Sequence, residues 1–251
     1  MRRPFIAGNW KMHLDGASIA AFCAELAAAK LPSDVRVGIY PSFVYLPQVV
    51  AALAGTDVIV GAQTGRPEDK GAFTGEVSVR QIKDIGATSV LVGHSERRHV
   101  MGETDADVRA RLDAALACDL DVVLCVGETL EEREAGRTTE VVAGQLNAGI
   151  TGLDGAVLSA RVTIAYEPVW AIGTGLTASP AQAQEVHAML RGRLVSAFGD
   201  AVAANITIQY GGSVKPDNVV ELMACPDVDG ALVGGASLQF ETFSALVKYG
   251  S

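Results

Sequence analysis

The chain has no apolar run approaching the roughly 18 residues that a membrane-spanning helix requires, although 49% of its 251 residues are hydrophobic. A spanning segment is excluded and a soluble chain is expected. Cysteine is scarce and scattered: Cys23, Cys118, Cys125 and Cys225 form no CxxC pair, which argues against a disulfide framework or a zinc site and suits reduced thiols. A basic block is also missing. With 20 basic and 29 acidic side chains, net charge −9, neither nucleic acid nor an anionic membrane is an expected partner. Met1-Arg2-Arg3 is basic, but the residues after it lack the apolar segment of a signal peptide, so no export is expected and the location is read as cytoplasmic.

What is present fits one core better than two, because a single large α/β barrel takes about 250 residues; residues 1–251 are read as one domain. Eight strand-like apolar runs recur: Phe5-Ile6-Ala7, Val35 to Ile39, Val58-Ile59-Val60, Ser89 to Val92, Val122 to Val126, Val162 to Tyr166, Ile206 to Tyr210 and Gly230 to Val233. Between them lie helical patterns, as at Ala183, Val186, Leu190 and Leu194, whose three- and four-residue steps mark one helix face. Ser179 is placed to cap that helix, Pro180 suits its first turn, and Gln182 completes a capping box. Alternating strand and helix implies parallel strands joined by crossovers. Eight such units without a composition break favour a closed (β/α)8 barrel, while alternation alone leaves a doubly wound open sheet possible.

The unusual polar residues come just after the strands: Asn9 and Lys11 the first, Gln63 the third, His94 and Glu96 the fourth, Glu167 the sixth, Ser213 the seventh, Gly234 and Gly235 the eighth. In a parallel barrel the strand carboxyl ends share one rim, so these residues converge there. Glu167 is the most informative of them. It ends the apolar run Val162 to Tyr166, where a charge is costly unless used or paired, and Pro168-Val169-Trp170 leads on into Gly173-Thr174-Gly175. That pattern reads as a base beneath a closable lid ending near Ala178. A structural ion pair is the competing reading of such a glutamate. The paired glycines after the last two strands suit a phosphate site built from backbone N–H groups.

Five strings run in order along the chain: Gly8-Asn9-Trp10-Lys11-Met12, Gly93-His94-Ser95-Glu96-Arg97-Arg98, Ala165 to Gly175, Tyr210-Gly211-Gly212-Ser213-Val214 and Val233-Gly234-Gly235-Ala236-Ser237-Leu238. Together they resemble the triosephosphate isomerase family from end to end. The resemblance implies a single (β/α)8 TIM barrel of eight parallel strands. It also implies an isomerase of glycolysis and gluconeogenesis that interconverts dihydroxyacetone phosphate and D-glyceraldehyde 3-phosphate through an enediol, with no cofactor and no metal.

Site roles come from the same resemblance. Glu167 is implied as general base, and His94 as the group that polarises and protonates oxygen, because an enediolate needs a donor that can also shuttle a proton. If a helical turn begins at Ser95, its amino end disfavours imidazolium, in line with the neutral histidine known in this family. Lys11 is implied as the positive charge near substrate and Asn9 as its neutral neighbour. Glu96 is expected to be a buried partner of Lys11 or of a nearby serine, with a structural ion-pair role equally open. Backbone N–H groups of Gly173, Ser213, Gly234 and Gly235 are implied to hold phosphate. The lid comprises Pro168, Val169, Trp170, Ala171, Ile172, Gly173, Thr174, Gly175, Leu176, Thr177 and Ala178.

The segment Gln63 to Val77 is too long for an ordinary connector of about two to six residues, and Gly71 to Glu76 resembles the family loop that inserts into a partner subunit. A homodimer is therefore expected, with Thr74 near the partner's site. Three positions depart from the familiar family pattern: His13 for asparagine, Leu176 for lysine in the lid, and Gln239 for lysine after the last phosphate loop. Gly173 to Ala178 also matches the dinucleotide pattern GxGxxA. Arg191 and Arg193 lie where a ribose-binding acid would be expected, which argues against an oxidoreductase. A non-catalytic phosphate-binding barrel and a different phosphosugar isomerase are the remaining rivals.

Overall fold

A computed structural model describes residues 2–172 and 177–250. Among these residues eight parallel strands close head to tail: β1 (Phe5–Asn9), β2 (Arg36–Tyr40), β3 (Ile59–Ala62), β4 (Ser89–Val92), β5 (Asp121–Val126), β6 (Val162–Tyr166), β7 (Ile208–Tyr210) and β8 (Gly230–Val233), with β8 pairing back onto β1. Helices alternate with the strands, so the fold is a (β/α)8 barrel. Strand limits sit a residue or two from the apolar runs: β1 extends to Asn9 and β3 to Ala62. Ladder hydrogen bonds, which hydropathy does not report, continue until the chain turns at the rim. Among the described residues no helix is long and apolar enough to cross a membrane.

Side chains alternate between barrel axis and helix layer along each strand. Phe5, Ala7, Tyr40, Leu91, Val123, Cys125, Ala165 and Leu232 form the inner cluster. Ile6, Val37, Ile39, Val90, Leu124, Ile164 and Ile208 belong to the larger cluster beneath the helices. The same parity carries Asn9 and Glu167 toward the axis, two residues beyond Ala7 and Ala165. Two groups of opposite chemistry thus continue apolar columns into the carboxyl-end mouth. Cys125 lies in the inner cluster, and all four cysteines are free thiols.

The segment after β3 is ordered at its base, where the Arg66 amide donates to Val77 O at 2.7 Å and the Val79 amide to Arg66 O at 3.0 Å. The Arg66 guanidinium lies 4.2 Å from the centre of the Phe73 ring, and Thr74 is exposed at the tip.

The helix Pro180–Phe198 begins with the capping box of Ser179 and Gln182 and buries Ala183, Val186, Leu190 and Leu194. It also buries His187. The His187 ring meets Tyr166 edge-on at 5.8 Å, and its Nδ1 lies 3.0 Å from Asp227 O, so Nδ1 carries the proton it donates to that carbonyl. Burial, reinforced by nearby Arg191, pulls its pKa down to about 4. A base depressed in the folded state contributes stability that is complete above the unfolded pKa of about 6.5 and is lost as pH falls toward the folded value. Unfolding free energy from urea titrations should therefore drop by about 2 kcal/mol on this account between pH 7.5 and pH 5. His187→Asn should remove that part of the slope, and an identical pH dependence in the variant would show that His187 is not its source.

Candidate active site

A cavity of about 520 Å³ opens at the carboxyl ends of the strands, lined by Asn9, Lys11, His94, Glu167 and the turns Gly211–Ser213 and Gly234–Gly235. Residues from both ends of the chain meet here because parallel closure puts every strand's carboxyl end on one rim. The cavity also takes in His13, Ala171, Ile172 and Lys215.

Lys11 sits at φ +50°, a left-handed conformation uncommon for a residue with a Cβ. Hydrogen bonds on both sides of it hold that geometry: its amide donates to Asn9 Oδ1 at 3.0 Å, and its carbonyl accepts from Gln63 Nε2 at 2.7 Å. Gln63 is in turn anchored on Tyr40 O at 2.9 Å. The conformation costs on the order of 1–3 kcal/mol and persists because its surroundings over-determine it. The ammonium group meets Glu96 Oε1 at 2.5 Å.

Glu96 does not occupy the place expected of it. Its partner is Lys11, but its side chain is 48% exposed and it does not line the cavity. The cause is local: Ser95–His99 is a short helix capped by His94, and its first turn directs residue 96 outward while Ser95 is buried.

Glu167 is almost fully buried and, among the described residues, makes two hydrogen bonds. His94 Nε2 lies 2.9 Å from Oε1, and the Ser95 amide donates to Oε2 at 2.8 Å. On the other side of the imidazole, the Glu96 amide donates to His94 Nδ1 at 3.3 Å. A ring that accepts at Nδ1 is the neutral tautomer with its proton on Nε2, aimed at Glu167. The charge environment pulls the other way. Burial disfavours the His94 cation, yet the adjoining Glu167 charge, their hydrogen bond and Glu96 outweigh it and hold the ring above the usual histidine range. Burial likewise works to raise Glu167, and attraction and hydrogen bonding from His94, with the Ser95 amide, hold it below the usual carboxylate range. Each group keeps the other charged or polarised, so separating them would push both back toward neutrality.

Gly211 makes this packing possible. A Cβ there would stand 2.8 Å from Glu167 Cγ and 3.1 Å from Tyr166 O, too close to the carboxylate's own stem. On the eighth strand, Gly235 opens a 3₁₀ turn, Gly235–Ser237, whose first N–H groups have no acceptor within the turn. Buried Ser237 braces that turn by donating from Oγ to Val233 O and Gly234 O, while its carbonyl accepts from Trp10 Nε1 at 3.0 Å.

Of the segment expected to cover the site, Pro168–Ile172 and Thr177–Ala178 are described, whereas Gly173, Thr174, Gly175 and Leu176 lie outside the described residues. Val169–Ala171 forms a 3₁₀ turn that buries Trp170. Its indole Nε1 donates to Glu128 Oε1 at 3.0 Å, which also accepts from Tyr166 OH at 3.1 Å and Arg133 Nη1 at 3.2 Å. The Arg133 guanidinium lies 4.8 Å from the Trp170 ring centre. Glu128 has no exposed surface, and such a carboxylate needs several donors to offset its desolvation.

Sequence reasoning misses Glu128, because Gly-Glu-Thr-Leu-Glu-Glu reads as an acidic helix start capped by Thr129. It also misses that Gln63 secures Lys11, although the place of Gln63 after a strand is visible. The Ser95 amide carries no side-chain signal at all, and Lys215 stands in a loop whose approach to the cavity only the fold reveals.

A (β/α)8 barrel with a buried glutamate–histidine pair, a lysine and glycine turns on its carboxyl rim defines the class: a barrel enzyme whose site lies at the strand ends. Residues 4–250 match the family model described as Triosephosphate isomerase. Proteins named triosephosphate isomerase are similar along their whole length: that of Pseudomonas fluorescens is 52% identical over 249 residues, covering 99% of this chain and 98% of its own. That of Pseudomonas putida is 51% identical with the same coverage, and that of Syntrophotalea carbinolica is 50% identical over 252 residues, 99% of each chain. The chain belongs to the triosephosphate isomerase family.

The mutual dependence of the buried pair has a measurable consequence. With Glu167 replaced by Gln, burial becomes the dominant influence on His94, and its pKa should move from above the ordinary 6.5 to below it. An NMR titration of the His94 ring in both proteins checks this, and an unchanged midpoint would mean that Glu167 does not hold the imidazole up.

Proposed function

We propose that this isomerase interconverts dihydroxyacetone phosphate and D-glyceraldehyde 3-phosphate by moving a proton between neighbouring carbons through an enediol. The observation that carries the reading is the 2.9 Å contact of buried Glu167 with His94, on the same rim as Lys11 and the glycine turns. Moving a proton and an electron pair within one molecule changes no net oxidation state, so the reaction as written balances without a redox cofactor.

In this reading the resting site satisfies Glu167 and His94 with each other. Substrate entering the cavity takes over the Nε2–H of His94 through its oxygen, and the freed carboxylate faces the carbon-bound proton. Its basicity then rises, because burial, the largest influence on Glu167, is no longer offset by the imidazole. His94 supplies a proton to oxygen, while Lys11 and Asn9 stabilise the negative charge that develops there. Amides of Ser213, Gly234 and Gly235 hold phosphate, and Gly173 adds one from the lid. Closure of residues 168–178 excludes water and protects the enediol from losing phosphate. Glu96 acts through Lys11, whose ammonium it orients from the rim.

Residues 1–251 form one domain in this proposal. A cytoplasmic location accords with the four free thiols, and the working unit is a homodimer. Met12 is 93% exposed, Val100 73% and Met101 65%, large apolar side chains beside Lys11 and the His94 helix whose exposure a second subunit would relieve. The exposed Thr74 loop is the element that would reach the partner's site.

Conversion of glyceraldehyde 3-phosphate, followed in a coupled assay, tests the reaction. Glu167→Gln should lower turnover by roughly 10² to 10⁴ while phosphate ligands still bind; full turnover in that variant would eliminate the assigned base. Lys11→Met should weaken binding of a phosphate-bearing enediolate analogue as well as turnover, and normal affinity would contradict its role.

Sedimentation at micromolar concentration should give twice the 26.1 kDa chain mass. A fully active monomer would refute the dimer.

A further inference from the structure

The amino-terminal mouth of the barrel, opposite the rim that carries Glu167, opens into a second cavity of about 290 Å³. Its lining is set by strand parity. Ser89, Asp121 and Thr163 stand two residues before the inward-facing Leu91, Val123 and Ala165. Arg36 stands two residues before Gly38, at which a Cβ would meet the inner Phe5 ring at 2.9 Å. These residues form the bottom layer of the barrel interior, where bulky branched apolar side chains are the rule. Here that layer is polar and carries charge.

Arg2, Arg3 and Arg161 join Arg36 around the mouth, with Asp121 as the acidic residue of the lining. Two of the four arginines are balanced: Arg2 pairs with Asp229, and Arg161 with Asp121 at 2.8 Å. Arg3 and Arg36 form no ion pair among the described residues. Arg3 donates to Val35 O at 3.2 Å and Arg36 to Thr207 Oγ1 at 2.7 Å, both neutral acceptors. Arg36 Nε is buried without a hydrogen-bond partner among the described residues, and the guanidinium lies 4.7 Å from the Phe5 ring centre. Burial draws its pKa below the usual arginine range. Arg36, which Asp121 and Asp229 attract only from a distance, and the exposed Arg3 thus face one cavity in a chain whose net charge is −9.

We propose that this mouth is a second ligand site, which binds a small oxyanion carrying a phosphate group through Arg36 and Arg3, with the hydroxyls of Thr207 and Thr163 as further donors. Planar guanidinium forks match the oxygens of phosphate better than they match a spherical ion. The Thr207 oxygen accepts from Arg36 and still has its own proton to donate. A cavity of about 290 Å³ at the end of a closed barrel suits a compact anion, so the occupant is free phosphate or a small phosphate ester.

Because phosphate is also expected at the catalytic rim, the test must locate the ligand. Crystals soaked in tungstate, an oxyanion whose anomalous scattering marks its position, should show a peak between Arg36 and Arg3. Equilibrium dialysis of inorganic phosphate should give two sites per chain, one of them weakened roughly tenfold or more by Arg36→Met. Arg3→Met, at an exposed residue outside the packed interior, should weaken the same site if the first variant folds poorly. Isomerase turnover should survive both changes. Tighter binding of 3-phosphoglycerate than of inorganic phosphate at this mouth would mark a phosphorylated metabolite as the occupant; the reverse order would mark free phosphate. No peak at this mouth, or one that persists in both variants, would overturn the proposal.

Discussion

Closing eight parallel strands into one ring is the constraint on which everything else in this molecule rests. Parallel closure places all strand carboxyl ends on one rim and all amino ends on the other. The two-residue alternation of side chains then decides which groups enter the axis. Ala165 and Ala7 fill the inner column, and their successors of the same parity, Glu167 and Asn9, emerge from it into the carboxyl mouth. At the opposite end, Arg36, Asp121 and Thr163 occupy the equivalent positions. One geometric rule therefore supplies both polar chambers, at opposite ends of an apolar centre of Phe5, Tyr40, Leu91 and Val123.

Electrostatics in the carboxyl mouth is governed by the burial of Glu167 and His94. A buried carboxylate without partners is too costly to keep ionised, and Glu167 meets that cost with the Ser95 amide and the imidazole of His94. The imidazole is itself positioned by the Glu96 amide at the start of a short helix, and Lys11 is held in an uncommon backbone conformation by Asn9 and Gln63. Each group that could take part in chemistry is thus oriented by a neighbour. Glu128 extends the pattern outward, tying Trp170, Tyr166 and Arg133 into one buried cluster beside the segment that follows Glu167.

Much of this architecture is legible in the sequence. The eight apolar runs, the capping box at Ser179 and the glycine pairs after the last two strands are local patterns, set by backbone propensity and by periodicity. Glu167 at the end of an apolar strand stands out because a charge in that position is costly unless it is used or paired. Glu96 is recognisable as a partner of Lys11, but its expected burial is wrong, since in the first turn of the short helix capped by His94 it is Ser95 that is buried and Glu96 that points outward. Glu128 and the Ser95 amide escape sequence reasoning for a related reason. One resembles an ordinary helix-start acid, and the other is a backbone group common to nearly every residue.

Taken alone, the amino-acid sequence sets the order of strands and helices, the family and the residues that reach the strand ends, because these depend on local periodicity and on motifs that need no partner. Which groups touch is left to the tertiary fold. The 2.9 Å contact between His94 and Glu167, the bond from Gln63 to the Lys11 carbonyl and the bond from Arg36 to Thr207 at the far mouth all depend on distances between residues remote in sequence. Barrel closure sets those distances, and no local pattern carries them.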